Sequence, residues 1–136
     1  MLRNVTINTS VGPLVGIAAD NGVVYINGTP HALTMYGYDK QAPLCVIPLS
    51  GTVVRVPDEY QPLPETFPGI PETLNITHPD QCIGLPDPIH GMFIIVSRVA
   101  AEALKIYHRP DLRVPGEPIR DRNGVQIGSV GISHYA

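Results

Sequence analysis

Residues 92–116 have the sequence MFIIVSRVAAEALKIYHRPDLRVPG and decide the fold of this chain. The apolar run from Phe93 to Val96 is typical of a strand that is buried on both faces. Ser97 follows at the natural N-cap position of a helix, where its side-chain oxygen can accept a hydrogen bond from a free amide of the first turn. The stretch therefore predicts one buried strand followed directly by one capped helix.

The predicted helix covers about residues 97–108 and has one apolar stripe. Apolar residues recur at three- and four-residue spacing, which places them on one side of the helix: Val99, Ala100, Ala103, Leu104 and Tyr107. The helix ends at Arg109-Pro110, because the residue before a proline avoids the helical region. Other segments of the chain must cover this stripe and pair with the strand.

Short strands separated by turns account for most of the remaining chain. The turn sequences DNG at 20–22 and DRNG at 121–124 are strong hairpin signals, because Asn and Gly tolerate positive φ angles. Residues 48–51 predict a further hairpin between strands at 44–47 and 52–56. We therefore expect a mainly β fold with one α-helix, in the form of a small antiparallel β-sandwich or barrel of about seven to nine short strands.

The length of the chain fits a single domain over residues 1–136, with two additions. Residues 1–24 are predicted to be an N-terminal hairpin extension. Residues 57–90 are a proline-rich acidic arm or insertion, and its part from 57 to 88 holds eight of the fifteen prolines and six acids but no Lys or Arg. We expect this insertion to be irregular and functional. It would contact a neighbouring subunit through apolar side chains, namely Tyr60, Phe67, Leu74 and Ile76.

Composition and motifs argue against several classes of function. The formal charge of -3 argues against general nucleic-acid binding, and no apolar run is long enough to span a membrane. No signal peptide opens the chain, so we expect a protein that is not secreted, with Cys45 and Cys82 as free buried thiols rather than a disulfide. Nucleophile-elbow, phosphate-loop and metal-ligand motifs are absent from the sequence. We therefore expect no enzymatic activity, no cofactor and no metal site.

A series of short blocks between about residues 25 and 130 carries a distinctive pattern. The blocks are Thr29-Pro30-His31, Ile47-Pro48 with Ser50-Gly51, Val54-Arg55-Val56, Gly84-Leu85-Pro86, Gly91 with Ile94-Ile95-Val96-Ser97 and Ala100, Asp111-Leu112 with Val114-Pro115-Gly116, and Arg120-Asp121 with Gly124 and Ile127-Gly128. In these blocks the chain resembles a family of small proteins found in tailed phages and in bacterial genomes that carry phage-like genes. The resemblance implies a phage setting and a shared fold, but no activity and no catalytic residues.

The chain departs from the family pattern in three places. It has an added region before about residue 24, and it has the proline-rich insertion. It also has Ser129-Val130 where relatives tend to have a cysteine and an arginine. These additions favour a version of the protein that is specialised for contacts.

Basic residues around the predicted helix form a candidate ligand site. Residues 92–122 hold six of the nine Lys and Arg residues against four acids, and a helix N-terminus at Ser97 can attract an anion. Three interpretations remain open: a solvated basic surface, a basic face that meets the acidic insertion of another subunit, or a pocket for a phosphorylated nucleotide. The residues of that pocket would be Ser97, Arg98, Arg109, Arg113 and His31. For His31 the alternative is a turn in which the histidine bonds backbone.

Two functions are compatible with these observations. The first is a non-enzymatic phage virion protein, either capsid-decorating or capsid-lining, that forms homo-oligomers or joins other virion proteins through its insertion. The second is a phage counter-defence sponge, an oligomer that binds and sequesters a phosphorylated nucleotide signal. Either function places the protein in the virion or in the host cytoplasm.

Overall fold

The computed structural model describes residues 1–135, which form ten strands, one α-helix and two short 3-10 turns. The helix α1 is Arg98–Leu104. The strands are β1 (Arg3–Thr9), β2 (Gly12–Ala18), β3 (Val24–Asn27), β4 (Leu33–Tyr36), β5 (Pro43–Ile47), β6 (Asp58–Leu63), β7 (Glu72–Thr77), β8 (Met92–Ile95), β9 (Leu112–Arg120) and β10 (Gln126–Ser133). The prediction of a mainly β fold with one helix is confirmed. The strand number exceeds the expected seven to nine because the insertion contributes β6 and β7.

Eight strands form one sheet in the order β1-β2-β3-β8-β9-β10-β4-β5, and β6 and β7 form a separate two-stranded sheet. The pairs β3–β8, β8–β9 and β10–β4 are parallel, so the large sheet is mixed and the expectation of a purely antiparallel arrangement is corrected. Parallel neighbours need a crossover connection, and α1 provides the one between β8 and β9. Turn sequences indicate hairpins between consecutive strands, but they give no information on pairing between strands that lie far apart in the sequence.

The N-terminal region adds its strands to the sheet of its own chain. β1 and β2 form an antiparallel hairpin, and β2 pairs in turn with β3. The hairpin predicted at residues 20–22 is thereby confirmed as the β2–β3 connection. β1 and β5 are the two outer strands of the large sheet.

Strand β8 is buried on both faces, as its unbroken apolar sequence predicts. Ile94 belongs to a core cluster that packs under α1, whereas its neighbour Ile95 belongs to a second cluster on the opposite face. Successive side chains of a strand point to opposite faces, so β8 links the two clusters. The first cluster is Leu14, Ile26, Val54, Met92, Ile94, Val96, Ala100, Ala101, Leu104 and Val114, and the second is Ile17, Met35, Ile47 and Ile95.

Helix α1 begins as predicted but ends early. The Oγ of Ser97 accepts a hydrogen bond from the amide of Ala100 at 3.2 Å, which confirms Ser97 as the N-cap. The predicted helix at 97–108 is only seven residues long as an α-helix, and a 3-10 turn over Lys105–Tyr107 follows it. His108 then adopts a left-handed conformation with φ 49°, which stops any continuation.

The apolar stripe predicted for the helix is wrong at two of its five residues. Ala100 and Leu104 are buried, as is Ala101, but Val99 is 71% exposed and Tyr107 is also exposed. The helix is rotated about its axis so that the side bearing Ala101 faces the core and Val99 lies on the outer surface. An apolar outer face is therefore left on α1.

Residues 52–56 do not form the strand predicted for them. Within residues 1–135, the one β-type pairing of this segment is an isolated bridge between Arg55 and Ile83. The amide of Val54 donates to the carbonyl of Gly28 at 2.8 Å, and Ser50 Oγ donates to the carbonyl of Asn27 at 2.5 Å. Because this segment bonds to the end of β3, the turn at 48–51 leads out of β5 into an extended core segment and not into a hairpin.

Gly116 lies where β9 passes closest to β10. A Cβ atom built on Gly116 would overlap the carbonyl oxygen of Val130, whereas one on Gly37 would meet nothing closer than 3.7 Å, and neither glycine has a positive φ. We expect Gly116→Ala to lower the free energy of unfolding by about 2 kcal/mol, because two backbones must move apart. Gly37→Ala is the matched control and should change it by less than about 0.5 kcal/mol. Urea unfolding followed by circular dichroism measures both, and equal effects would contradict the close approach.

Candidate functional site

The insertion contains a β-hairpin that stands apart from the large sheet, and we call residues 58–77 the arm. Six residue pairs join β6 and β7, from Asp58–Thr77 at the base to Leu63–Glu72 at the tip. The prediction of an irregular insertion is wrong here. Pro62 lies within β6, which is compatible with a strand at the edge of a sheet, while the other prolines of the arm cluster at the tip.

Apolar side chains of the arm are exposed to solvent. Of the four predicted contact residues, Tyr60, Phe67 and Leu74 are exposed and Ile76 is half-buried. The structure adds two exposed residues that the sequence analysis did not select, Leu63 and Ile70. An isolated two-stranded hairpin is only marginally stable in water, so these exposed apolar side chains favour contact with another chain.

The base of the arm is closed by three contacts with well-defined geometry. The amide of His78 donates to the carbonyl of Pro57 at 2.9 Å, and the imidazole of His78 lies 2.9 Å from a carboxylate oxygen of Glu59. This hydrogen bond is the main cause that lowers the pKa of Glu59 below its ordinary value. Just beyond the base, the bridge between Arg55 and Ile83 fixes the returning chain.

The tip of the arm is a defined turn and not a loose loop. The amide of Ile70 donates to the carbonyl of Phe67 at 3.0 Å, and Gly69 has φ 91°. The carboxylate of Glu72 accepts from the amide of Thr66 at 2.9 Å, and hydrogen bonding by the Thr66 side chain and then by this amide lowers the pKa of Glu72. These bonds hold Phe67 and Ile70 together at the far end of the arm, with the carboxylates of Glu65 and Glu72 beside them.

The returning part of the insertion belongs to the body of the protein. Residues 78–90 contain a 3-10 turn at Pro79–Gln81, and Cys82 and Leu85 then pack against the larger core cluster. Pro86 is fully buried, and its carbonyl accepts from Arg109 at 2.9 Å. The projecting part of the insertion is therefore residues 58–77.

Ser97 and Arg98 offer little to an anion. Ser97 Oγ is occupied in capping α1, whose seven residues give it only a short N-terminal dipole. The Arg98 guanidinium makes one long hydrogen bond, 3.4 Å, to the carbonyl of Pro115 and is exposed. Ser97 lines one cavity and Arg98 another, and Val99 lines both.

Arg109 and Arg113 do lie together, but protein acceptors already hold them. Arg109 makes a bidentate ion pair with Asp111 at 2.8 and 2.7 Å, and this bond raises the pKa of Arg109. Arg113 donates to the carbonyls of Pro110 and Leu112 and stacks over the Phe93 ring at 4.6 Å. Both arginines line a cavity of about 370 Å³ together with Lys105, His108 and Tyr135.

His31 lines a different cavity from these two arginines, and its backbone takes part in a turn. Its backbone carbonyl accepts hydrogen bonds from Asn27 Nδ2 at 2.7 Å and from Thr29 Oγ1 at 3.0 Å, while its side chain is exposed at a cavity of about 350 Å³. The fully buried Asn27 organises the turn and was not selected from the sequence. The five predicted ligand residues are thus spread over four cavities.

Cys45 and Cys82 are free and half-buried. Burial raises the pKa of both thiols above the ordinary value. The thiolate is the reactive form, so we expect alkylation by iodoacetamide to rise with pH at a midpoint above that of the unfolded chain. Rates measured between pH 7 and 10 on folded and urea-unfolded protein test this, and coincident midpoints would contradict the burial of the thiols.

Comparison with protein-family models, curated proteins and solved structures gives no match for this chain. Within residues 1–135, no group of three or more His, Cys, Asp or Glu side chains is arranged to hold a metal ion. No helix in the described part of the chain has the length and apolar character needed to cross a membrane.

Proposed function

We propose that the chain is a non-enzymatic phage assembly protein, a virion subunit that decorates or lines the capsid and joins its neighbours through the arm. The observation that carries the proposal is a hairpin whose two strands, within residues 1–135, pair with each other and with no other strand, and which leaves Tyr60, Phe67 and Leu74 exposed to solvent. Hairpins of this kind gain stability when another chain covers them, either by adding a strand or by burying the apolar side chains. The resemblance to phage proteins supplies the setting.

The charge distribution supports contacts between subunits. The arm carries Asp58, Glu59, Glu65 and Glu72 and no Lys or Arg, and of these four acids only Glu59 has an ion-pair partner within the described residues. The basic residues cluster instead between 92 and 122. An acidic arm and a segment rich in basic residues on the same chain favour head-to-tail or reciprocal contacts over random aggregation.

Native mass spectrometry on protein purified gently from phage-infected cells tests this function. Ligand-free protein that appears in large assemblies or co-purifies with phage particles is the expected result. A small closed species that never accompanies particles would overturn the proposal of a virion subunit.

A second candidate function, the nucleotide sponge, retains one supporting observation. Lys105, His108, Arg109 and Arg113 line the same cavity of about 370 Å³, a size that accommodates a nucleotide-sized ligand. This hypothesis predicts an additional mass of a few hundred daltons in the native spectrum, roughly that of one drug-sized ligand. It also predicts calorimetric binding of cyclic nucleotides or ADP-ribose derivatives that Arg113→Ala abolishes. The absence of both the additional mass and the calorimetric binding would contradict the hypothesis of a nucleotide sponge.

A further inference from the structure

We propose that the tip of the arm of one copy docks into a groove beside α1 on a second copy. This inference rests on the proposed function and names the partner and the docking site of the arm. The groove has a volume of about 640 Å³ and lies between the outer face of α1 and the base of the arm. Its lining residues are Thr77, Pro79, Arg98, Val99, Glu102, Ala103, Ile106 and Tyr135.

The floor of the groove is apolar and exposed. Val99 on α1 is 71% exposed, and Ile106 in the 3-10 turn that follows the helix is 63% exposed. Ala103 lies between them and keeps the floor open. A partner that buries this floor must supply apolar side chains.

The tip of the arm has side chains of that kind. Phe67 is 66% exposed and Ile70 is 58% exposed, and the turn bond between them holds both at the end of the arm. The groove volume falls within the roughly 300–1,000 Å³ of pockets that take a drug-sized ligand, so it has room for these two side chains.

Charges at the rim of the groove complement those at the tip. Arg98 has no carboxylate partner within residues 1–135, and the carboxylate of Glu102 forms an exposed ion pair with Lys105 at 3.4 Å. Glu65 and Glu72 flank the apolar pair of the tip and have no cationic partner in the described chain. Docking of the tip therefore brings two carboxylates that lack a cationic partner towards a guanidinium that lacks a carboxylate partner.

The arm cannot reach the groove of its own chain. Thr77, which lines the groove, is the last residue of β7 and pairs with Asp58 at the base of the arm. At about 3.4 Å per residue, the paired strands hold the tip roughly 17 Å from the base. The hairpin would have to fold back on itself to fill the adjacent groove, so the tip that fills it comes from another copy.

Two full-length variants test the two sides of this contact, the tip and the groove, independently. The tip variant carries Phe67→Ser and Ile70→Ser, and the groove variant carries Val99→Glu and Ile106→Glu. All four residues are exposed, so both variants should keep the unfolding midpoint of the wild type. Val125→Glu, at an exposed position in the β9–β10 turn, is the matched control for a new surface charge.

Sedimentation equilibrium gives the test. We expect each double variant to self-associate about 30-fold or more weakly than the wild type, since buried apolar anchors dominate such contacts, and the control to associate normally. An equimolar mixture of the two variants should form two-chain complexes, because one intact tip then meets one intact groove.

Four outcomes would overturn the inference. If the tip variant dissociates while the groove variant associates like the wild type, the arm acts elsewhere and only the proposed function survives. If the mixture fails to form complexes, the tip and the groove do not meet. If the wild type is monomeric, the arm does not join copies of this chain and binds a different protein. If both variants associate like the wild type, both this inference and the proposed role of the arm are contradicted.

Discussion

Replacement of residues 58–77 by Asn-Gly is expected to abolish self-association and to leave the body of the protein folded. The carbonyl of Pro57 and the amide of His78 are already hydrogen-bonded at 2.9 Å, which is the geometry that a two-residue hairpin turn requires. None of the buried core residues lies in the arm. The free energy of unfolding should therefore change by less than about 1 kcal/mol.

Sedimentation velocity and urea unfolding on the same samples measure the two effects separately. The control Val125→Glu, in the β9–β10 turn, should assemble normally. Normal assembly of the armless protein would contradict the proposed function, whereas loss of folding would contradict the assignment of the arm as a separate unit. The deletion has to stop at Thr77, because removal of all of 57–88 would also remove the fully buried Pro86.

Arg109→Ala is expected to lower the free energy of unfolding by about 3 kcal/mol. The side chains of Arg109 and Asp111 are 17% and 11% exposed, so the substitution leaves a carboxylate in a poorly solvated site without its cation. It also removes the donor to the carbonyl of Pro86 and so loosens the segment that returns from the arm.

A double-mutant cycle isolates the contribution of this ion pair. Asp111→Ala should cost a similar amount, and the double variant should cost clearly less than the sum of the two. Lys105→Ala is the control, since the pair of Lys105 and Glu102 is exposed and should contribute less than about 0.5 kcal/mol. Additive effects of Arg109→Ala and Asp111→Ala in thermal or urea unfolding would show that the two side chains do not act as a pair.

Local sequence patterns predicted the parts of the fold that local forces determine. The run from Phe93 to Val96 predicted a strand buried on both faces, and β8 is such a strand. Ser97 predicted an N-cap and makes the capping bond. The DNG turn at 20–22 predicted a hairpin, and β2 and β3 form it.

Other parts depend on contacts between distant residues and had no local signal. The parallel pairing of β3 with β8 joins segments more than sixty residues apart, and the burial of Ala101 in place of Val99 depends on what lies beneath α1. β6 was missed because its sequence, DEYQPL, is acidic and contains a proline. Its strand conformation comes from pairing with β7.

The candidate ligand residues also show that local sequence does not reveal contacts made in the folded chain. Arg109, only two residues from Asp111, pairs with it, although the sequence analysis listed Arg109 as free to bind a ligand. By contrast, Tyr60, Phe67 and Leu74 were selected as apolar residues in an acidic segment and are exposed on the arm. Local composition was enough to single out these apolar residues, whereas the pairing of an arginine depends on contacts that the sequence analysis did not assign.

Hydrogen–deuterium exchange of the arm amides in the intact protein, measured as a function of protein concentration, tests the central claim most directly. If the arm joins copies, amides of residues 58–77 should exchange rapidly in dilute protein, since a lone hairpin is marginally stable, and should become protected as assemblies form. Exchange of the β8 amides should be slow throughout and serves as the internal reference. Rapid exchange of the arm at every concentration, in samples that have assembled, would contradict the account.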